Sequence, residues 1–440
     1  AALAYGGNAI GGVVNVIDQT IPTRAIDGMN FEGLAAHSTV DDGTQGAANV
    51  GFGAGRFALR LSAAARDTDP YETPIGEALN QWTSVRSYGV GGSLLGDWGF
   101  AGLAVKNTQD EYGLLPEDPS EPGGHIEMEQ TRTESRGDFR VAWGPFDRLD
   151  YGVQQSDYAH TEFEGDGTAG TRFSSKGWEA RLEAHHESGR LDGAIGIQFS
   201  DVDFGAEGDE AFISATNTQD TGAFAVERYD LGTWGLEGGV RFERRELSNL
   251  TAGARKFDNV SASAGMFVRP AEGWFVGTTL SRVERAPTAF ELFSDGPHLA
   301  TANYELGDVN LSQETATSLE ASVRYQHGPV RFEMNFYGME FSDYIALVER
   351  GDVWWSDEDT GLSGFVADEA SAPAGADTTL PVFNFVQRDA TFVGGEISAA
   401  AQLFEIGGFA ITADGALDLV RAEFVGGGHP PRIPPRSLTL

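Results

Sequence analysis

The sequence predicts an all-β fold, and within that class a transmembrane antiparallel β-barrel. Three observations carry this reading: period-two alternation along most of the chain, short turns that alternate with long polar loops, and aromatic residues gathered where strands meet turns. Val330, Phe332, Met334 and Phe336 alternate with Arg331, Glu333 and Asn335. Val260, Ala262, Ala264, Met266 and Val268 alternate with Asn259, Ser261, Ser263 and Gly265, and Ile397, Ala399, Ala401 and Leu403 with Glu396, Ser398, Ala400 and Gln402. Successive side chains on a strand point to opposite faces, so each segment has one apolar and one polar face. Helical spacing is not sustained over any stretch.

Taken in order, eight tight turns fall at 53–55, 95–98, 144–147, 188–190, 231–233, 270–273, 327–329 and 405–408. Between them lie longer polar loops near 67–82, 110–125, 163–171, 204–219, 248–257, 285–312, 349–381 and 425–435, with a shorter loop at 40–45. Short turns on one side and long loops on the other are the pattern of an outer-membrane barrel. The count gives seventeen strands and an eighteenth opening at Ser437. Large plugged barrels of this kind have about 22 strands, so about 18 of 22 are expected here. A soluble β-sandwich also alternates with period two. Its strands usually run to about five or six residues, however, whereas these are expected to run about 10 to 16. Trp98, Trp143, Phe146, Trp234, Trp274 and Phe275 sit at strand ends, where rings suit the membrane–water boundary.

Composition excludes several classes. Lys and Arg number 30 against 66 Asp and Glu, a net charge of −36, so the basic surface that neutralises nucleic-acid phosphates is missing. There is no Cys, hence no disulfide framework and no thiolate metal site. No run approaches the roughly 18 apolar residues of a spanning helix. No nucleophile–base arrangement, phosphate-binding loop or metalloprotease motif stands out, so neither enzyme chemistry nor a cofactor is expected. Ala1 is not a plausible start, and Ser437 to Leu440 opens a strand that does not close, so the chain reads as part of a longer one.

Residues 5–17 depart from the barrel pattern. A Gly-rich turn leads into a nearly continuous apolar stretch at 11–17, which is expected to form a strand buried on both faces, as inside a small domain within the lumen. Tyr5-Gly6-Gly7-Asn8-Ala9-Ile10-Gly11-Gly12-Val13-Val14-Asn15-Val16-Ile17 resembles the end of the plug domain of TonB-dependent receptors. Arg285-Ala286-Pro287 with Glu291-Leu292-Phe293 is similar to a block of the same family. The run Ser294-Asp295-Gly296-Pro297-His298, followed by Ala300-Thr301, resembles its zinc-uptake branch, while Pro431-Arg432-Ile433-Pro434-Pro435 is similar to the family's late-barrel segment and 126–132 to the strand after its third loop.

The resemblance implies a plug end at 1–25 and an incomplete barrel at 26–440. It also implies active import across the outer membrane of a Gram-negative bacterium, driven through the TonB protein of an inner-membrane energy complex. The implied solute is a metal ion such as zinc or a metal chelate. A siderophore or haem receptor of the same architecture is the nearest alternative, and a passive porin or a surface adhesin lies further off. The third loop carries Asp110, Glu111 and a lone His125 where the zinc branch often has a His cluster.

Four residues are candidate metal contacts. His298 stands beside Asp295 in a Gly-Pro-rich loop, where an imidazole with a nearby carboxylate suits a divalent cation. Glu183 and His185 are two apart on one strand face, roughly 6.6–6.8 Å between α-carbons. The competing readings are a capped turn for the first pair and a charge ladder held by Arg181 for the second. The expected picture is thus a large barrel with little but residues 1–20 inside or beneath it, and with His298 completing a site near the mouth together with Asp295 or Glu183.

Overall fold

A computed structural model describes residues 2–14, 16–116, 122–208, 211–298, 301–357 and 359–440. Among these, eighteen strands make one antiparallel meander. They are β1 (Gly28–His37), β2 (Thr44–Ala54), β3 (Phe57–Thr68), β4 (Thr83–Gly96), β5 (Gly99–Gly113) and β6 (His125–Trp143). Next come β7 (Phe146–Phe163), β8 (Ala169–Ser188), β9 (Leu191–Glu207), β10 (Thr216–Asp230), β11 (Trp234–Asn249) and β12 (Gly253–Val268). The last six are β13 (Trp274–Arg285), β14 (Glu314–His327), β15 (Val330–Asp357), β16 (Thr378–Ile406), β17 (Phe409–Phe424) and β18 (Ser437–Thr439).

Each strand pairs with its neighbour in sequence, from β1–β2 to β17–β18. Among the described residues β1 and β18 are the two edges, each with one partner. All eight tight turns fall where the sequence places them. Gly189 (φ 65°) and Gly328 (φ 56°) take the left-handed backbone that two-residue turns require.

The two faces of this sheet invert the order of a soluble protein. Val240, Phe242, Val260, Leu280 and Leu319 are 44–59% exposed, whereas Arg241, Glu243, Arg245, Asn259, Ser261 and Glu314 are buried. An apolar belt that wide is stable only against lipid. On β15, Arg324 of the adjacent strand lies 3.9 Å from Glu333, Asn335 donates to Glu333 at 3.3 Å, and Asn335 lines the inner cavity. Arg331, Glu333 and Asn335 therefore face inward, and Phe332, Met334 and Phe336 outward, as the alternation implies.

Four expectations need correction. Several strands run past the expected 10 to 16 residues, above all β15 with 28 and β16 with 29. Their polar ends looked like loop, but above the bilayer both faces meet water, and pairing there needs no apolar side. For the same reason 248–257 is no loop, since β11 and β12 continue to Asn249 and from Gly253. Phe275 belongs to the inner face, stacked on buried Phe267 at 5.5 Å and lining the cavity, because adjacent residues on a strand cannot both face lipid.

The fourth correction concerns the apolar run at 11–17, whose described residues, 11–14, 16 and 17, form no strand. Val14, Val16 and Ile17 are 92%, 84% and 69% exposed. The apolar pattern expresses a need for burial, but among the described residues no strand lies beside this segment to supply a ladder.

Candidate functional site

The segment between β13 and β14 is organised by buried charge. Arg285, at the end of β13, donates to both Glu291 oxygens (2.9 and 3.1 Å) and to Glu314 Oε2 at 2.9 Å. Burial works against its charge, yet the two carboxylates hold its pKa above the ordinary arginine value. Glu291 also closes a capping box with Thr288 on the single α-helix turn Ala289–Phe293. The Arg-Ala-Pro and Glu-Leu-Phe motifs are thus parts of one buried brace.

The brace sets the short hairpin Asp295–His298 with Asn303–Leu306. Gly296 lies so close to Phe212 that a Cβ would come within 2.7 Å of its Cα. His298 stacks on the Phe212 ring at 4.3 Å, and its Nδ1 lies 3.1 Å from Glu305 Oε1. Thr301 Oγ1 donates to the same carboxylate at 3.2 Å. Asp295 is engaged elsewhere: it accepts from the Tyr304 hydroxyl at 3.0 Å, and burial together with that bond pushes the phenol above its ordinary pKa. Residues three apart on a strand point to opposite faces, so Asp295 turns away from His298. Its place is taken by Glu305, diagonal to His298 across the hairpin. Nothing local in the sequence marks Glu305 for this role, which follows only from the hairpin register.

Glu183 and His185 lie on β8 far below. Arg181 donates to Glu183, as a charge ladder requires, and His185 Nε2 sits 3.0 Å from Asp150 and 3.8 Å from Glu183. Phe173, which packs on Phe212 at 6.1 Å, marks the hairpin's level on the same strand. Glu183 is ten residues below it, about 33 Å along the strand at roughly 3.3 Å per residue. The two candidate pairs cannot share an ion. Among the described residues, no three His, Asp or Glu side chains are grouped to hold a metal.

Inside the wall, residues 2–11 form two 3-10 turns, Ala2–Tyr5 and Gly7–Gly11. The Gly7 N–H donates to Glu243 Oε2 at 3.2 Å, Glu243 pairs with buried Arg241, and Arg181 donates to the Ala4 carbonyl. Gly6 has φ 121°, and a Cβ on Gly7 would crowd Glu243 at 2.9 Å, which accounts for the paired glycines. Beside this segment is a cavity of about 1070 Å³, lined by Ile10, Arg324, Glu396, Tyr337 and Phe341 among others.

An apolar outer belt and a polar inner face define an outer-membrane β-barrel. Residues 67–440 match the family described as TonB dependent receptor-like, beta-barrel, and the chain belongs to that family. It is similar in structure to the copper transporter OprC (TM-score 0.75, 15% identity, 94% of this chain and 65% of that one). It is similar also to the FrpB iron transporter from Neisseria meningitidis, F3-3 variant (TM-score 0.66, 16% identity, 90% and 62%). The siderophore receptor PirA from Pseudomonas aeruginosa matches as well (TM-score 0.64, 14% identity, 96% and 70%). At these identities the likeness is one of fold, and the chain spans less than two thirds of the first two proteins.

Proposed function

We propose that the chain supplies the barrel of an active outer-membrane importer for a scarce metal, taken up as ion or as chelate. The observation that carries this reading is the lumenal segment hydrogen-bonded to Glu243 and Arg181, since a passive porin needs a clear path. Residues 1–25 are then the end of a plug and 26–440 the wall, with TonB as the partner that moves the plug. Proteins of this fold that carry copper and iron, and one that is a siderophore receptor, support the metal class.

His298 and Glu305 are the solute contact at the outer mouth. Two donors hold a bare divalent ion weakly, so a chelate, or an ion completed by a further ligand, is the solute this pair suits. Asp295 positions the hairpin through Tyr304, and Glu183 and His185 belong to the wall's charge ladder.

The test is growth and metal accumulation of a deletion strain complemented with the full-length receptor. The panel comprises limiting zinc, copper, manganese and iron, the last also as ferric siderophores and haem. One limitation should require the receptor, and His298→Ala should cut that uptake at least tenfold with normal barrel assembly. Equal growth with and without the receptor on the whole panel would end this reading.

A further inference from the structure

Above the wall, the far ends of β15 and β16 belong to a small sheet of their own. Residues 353–356 of β15 pair with 378–381 of β16, and 353–357 pair on the other side with a short strand, Leu362–Val366. Beyond β16, Tyr304 to Leu306 of the mouth hairpin run parallel to Val382 to Asn384, and Asp295–His298 lies outside them. The order is Asp295–His298, Asn303–Leu306, β16, β15, Leu362–Val366. One face is continuous and apolar: the Tyr304 ring lies 5.1 Å from Trp354 and 5.2 Å from Phe365, and Leu380 and Val382 are buried beside it.

The two edges of this sheet differ. Asp295–His298 is closed off by the loop that carries Phe212, whose carbonyl accepts the Asp295 N–H at 2.7 Å. Leu362–Val366 is open: among the described residues it pairs with β15 alone, and Leu362 and Phe365 are 61% and 48% exposed. An open edge offers unpaired N–H and C=O groups at every second residue, and lysine, proline or a bulge commonly guards it. Leu362-Ser363-Gly364-Phe365-Val366 has no proline and no charge, and its register with β15 runs without a bulge.

The surroundings of the edge are negative. Residues 349–381 hold eight Asp and Glu against one basic residue, Arg350, whose Nε donates to Asp352 at 2.7 Å. Asp359, Asp368 and Glu369, which flank the strand in sequence, are exposed. A second copy of the chain would bring the same charge to the edge and be repelled; a cationic strand would be drawn to it.

We propose that the open edge of Leu362–Val366 docks an extended, basic polypeptide segment from outside the cell, which adds a strand to this sheet. Backbone pairing supplies the attachment and the carboxylates select for positive charge. Leu362 and Phe365, three apart, offer one apolar contact on each face of the added strand. Four strand spacings of about 4.8 Å, roughly 19 Å in all, separate this edge from the strand of His298, so docking and solute contact use different ends of the sheet. The site does not rest on the importer reading.

The chain has no cysteine, so single thiols report position. Ser363, on the edge, and Ser371, in the same acidic loop but outside the strand, are both exposed. The probe is a short peptide of alternating lysine and valine with a central cysteine activated as its thionitrobenzoate disulfide. In detergent-solubilised full-length protein at about 0.01 M salt, Ser363→Cys should capture it at least tenfold faster than Ser371→Cys, each rate being divided by that thiol's rate with the free aromatic disulfide reagent. Replacing lysine with glutamate in the probe, or methylating every backbone amide, should each slow capture at Ser363→Cys at least tenfold. Asp359→Asn, Asp368→Asn and Glu369→Gln together should slow it at least threefold, as should about 1 M salt, which shortens the screening length from roughly 30 to 3 Å. Equal capture at the two positions, or capture indifferent to amide methylation, overturns the strand addition; capture indifferent to the sign of the probe overturns the basic partner. If Ser363→Cys does not assemble, equilibrium binding of the fluorescent probe to the unsubstituted receptor must show the same losses on methylation and on charge reversal, and their absence overturns the proposal.

Discussion

Replacing Arg285 with Met keeps the aliphatic stem and removes the charge that braces the outer mouth. In the wild type one guanidinium serves Glu291 and Glu314, whose side chains are 13% and 3% exposed. Glu314 Oε2 also accepts the Ile345 N–H at 2.9 Å, and Glu291 Oε2 the Thr288 N–H at 2.7 Å, so both carboxylates are fixed in place when the charge is lost. Removing one partner of a buried ion pair costs about 3–5 kcal/mol. At roughly 1.4 kcal/mol per tenfold, the opening constant of the loop between β13 and β14 should rise about 100- to 4000-fold. The β13–β14 ladder beneath it does not depend on Arg285, so the wall should stay intact. Limited chymotrypsin digestion of intact cells reads this directly, because Phe293 and Tyr304 are buried in the closed loop. Cleavage there should accelerate at least 50-fold in Arg285→Met, and Glu314→Gln added to it should recover part of the loss. A cleavage rate within twofold of wild type would refute the brace.

Spin labels at Phe336→Cys and Asn335→Cys should report oxygen and a polar relaxer respectively; the reverse would mean that the β15 register is off by one residue. Asp230 takes hydrogen bonds from Arg269 at 2.9 Å and from the Gly232 N–H at 2.8 Å, which bring its carboxyl down to about 2. A lowered folded pKa gives a contribution present above the ordinary value near ~3.9 and lost as pH falls through about 2. The gap in melting temperature between wild type and Asp230→Asn should therefore hold down to about pH 4 and close toward pH 2; a gap unchanged across that window counts against the turn bonds. Tyr304, with its phenol raised, should add to stability fully below its ordinary pKa of ~10 and lose that contribution as pH rises beyond it. The difference in phenolate absorbance between wild type and Tyr304→Phe should then emerge only above about pH 10, and an earlier rise would show an open hairpin.

The wall was readable from the sequence because two local rules fix it. Alternation such as Phe332-Glu333-Met334-Asn335 states which face meets lipid, and glycines such as Gly189 and Gly328 mark turns that need positive φ. The site was readable only in part. His298 stood out by type, but its partner Glu305 follows from a four-residue hairpin whose place is set by Phe212, a residue 86 positions earlier in the chain. The apolar run at 11–17 misleads for the converse reason: it declares a preference for burial and says nothing of whether a partner strand is present. The seating of residues 18–22 on the inner wall left no local pattern, because its fit lies in glycines of β4 and β5 that otherwise look like ordinary strand glycines.

The central claim is active import past an occupied lumen. It is tested most directly by metal accumulation in cells that carry the full-length receptor as their sole route for the limiting metal, with and without the TonB protein. Accumulation is expected to fall at least tenfold when TonB is removed, with the receptor present at an unchanged level in the outer membrane. Accumulation that persists without TonB would mean a passive channel and would contradict the account.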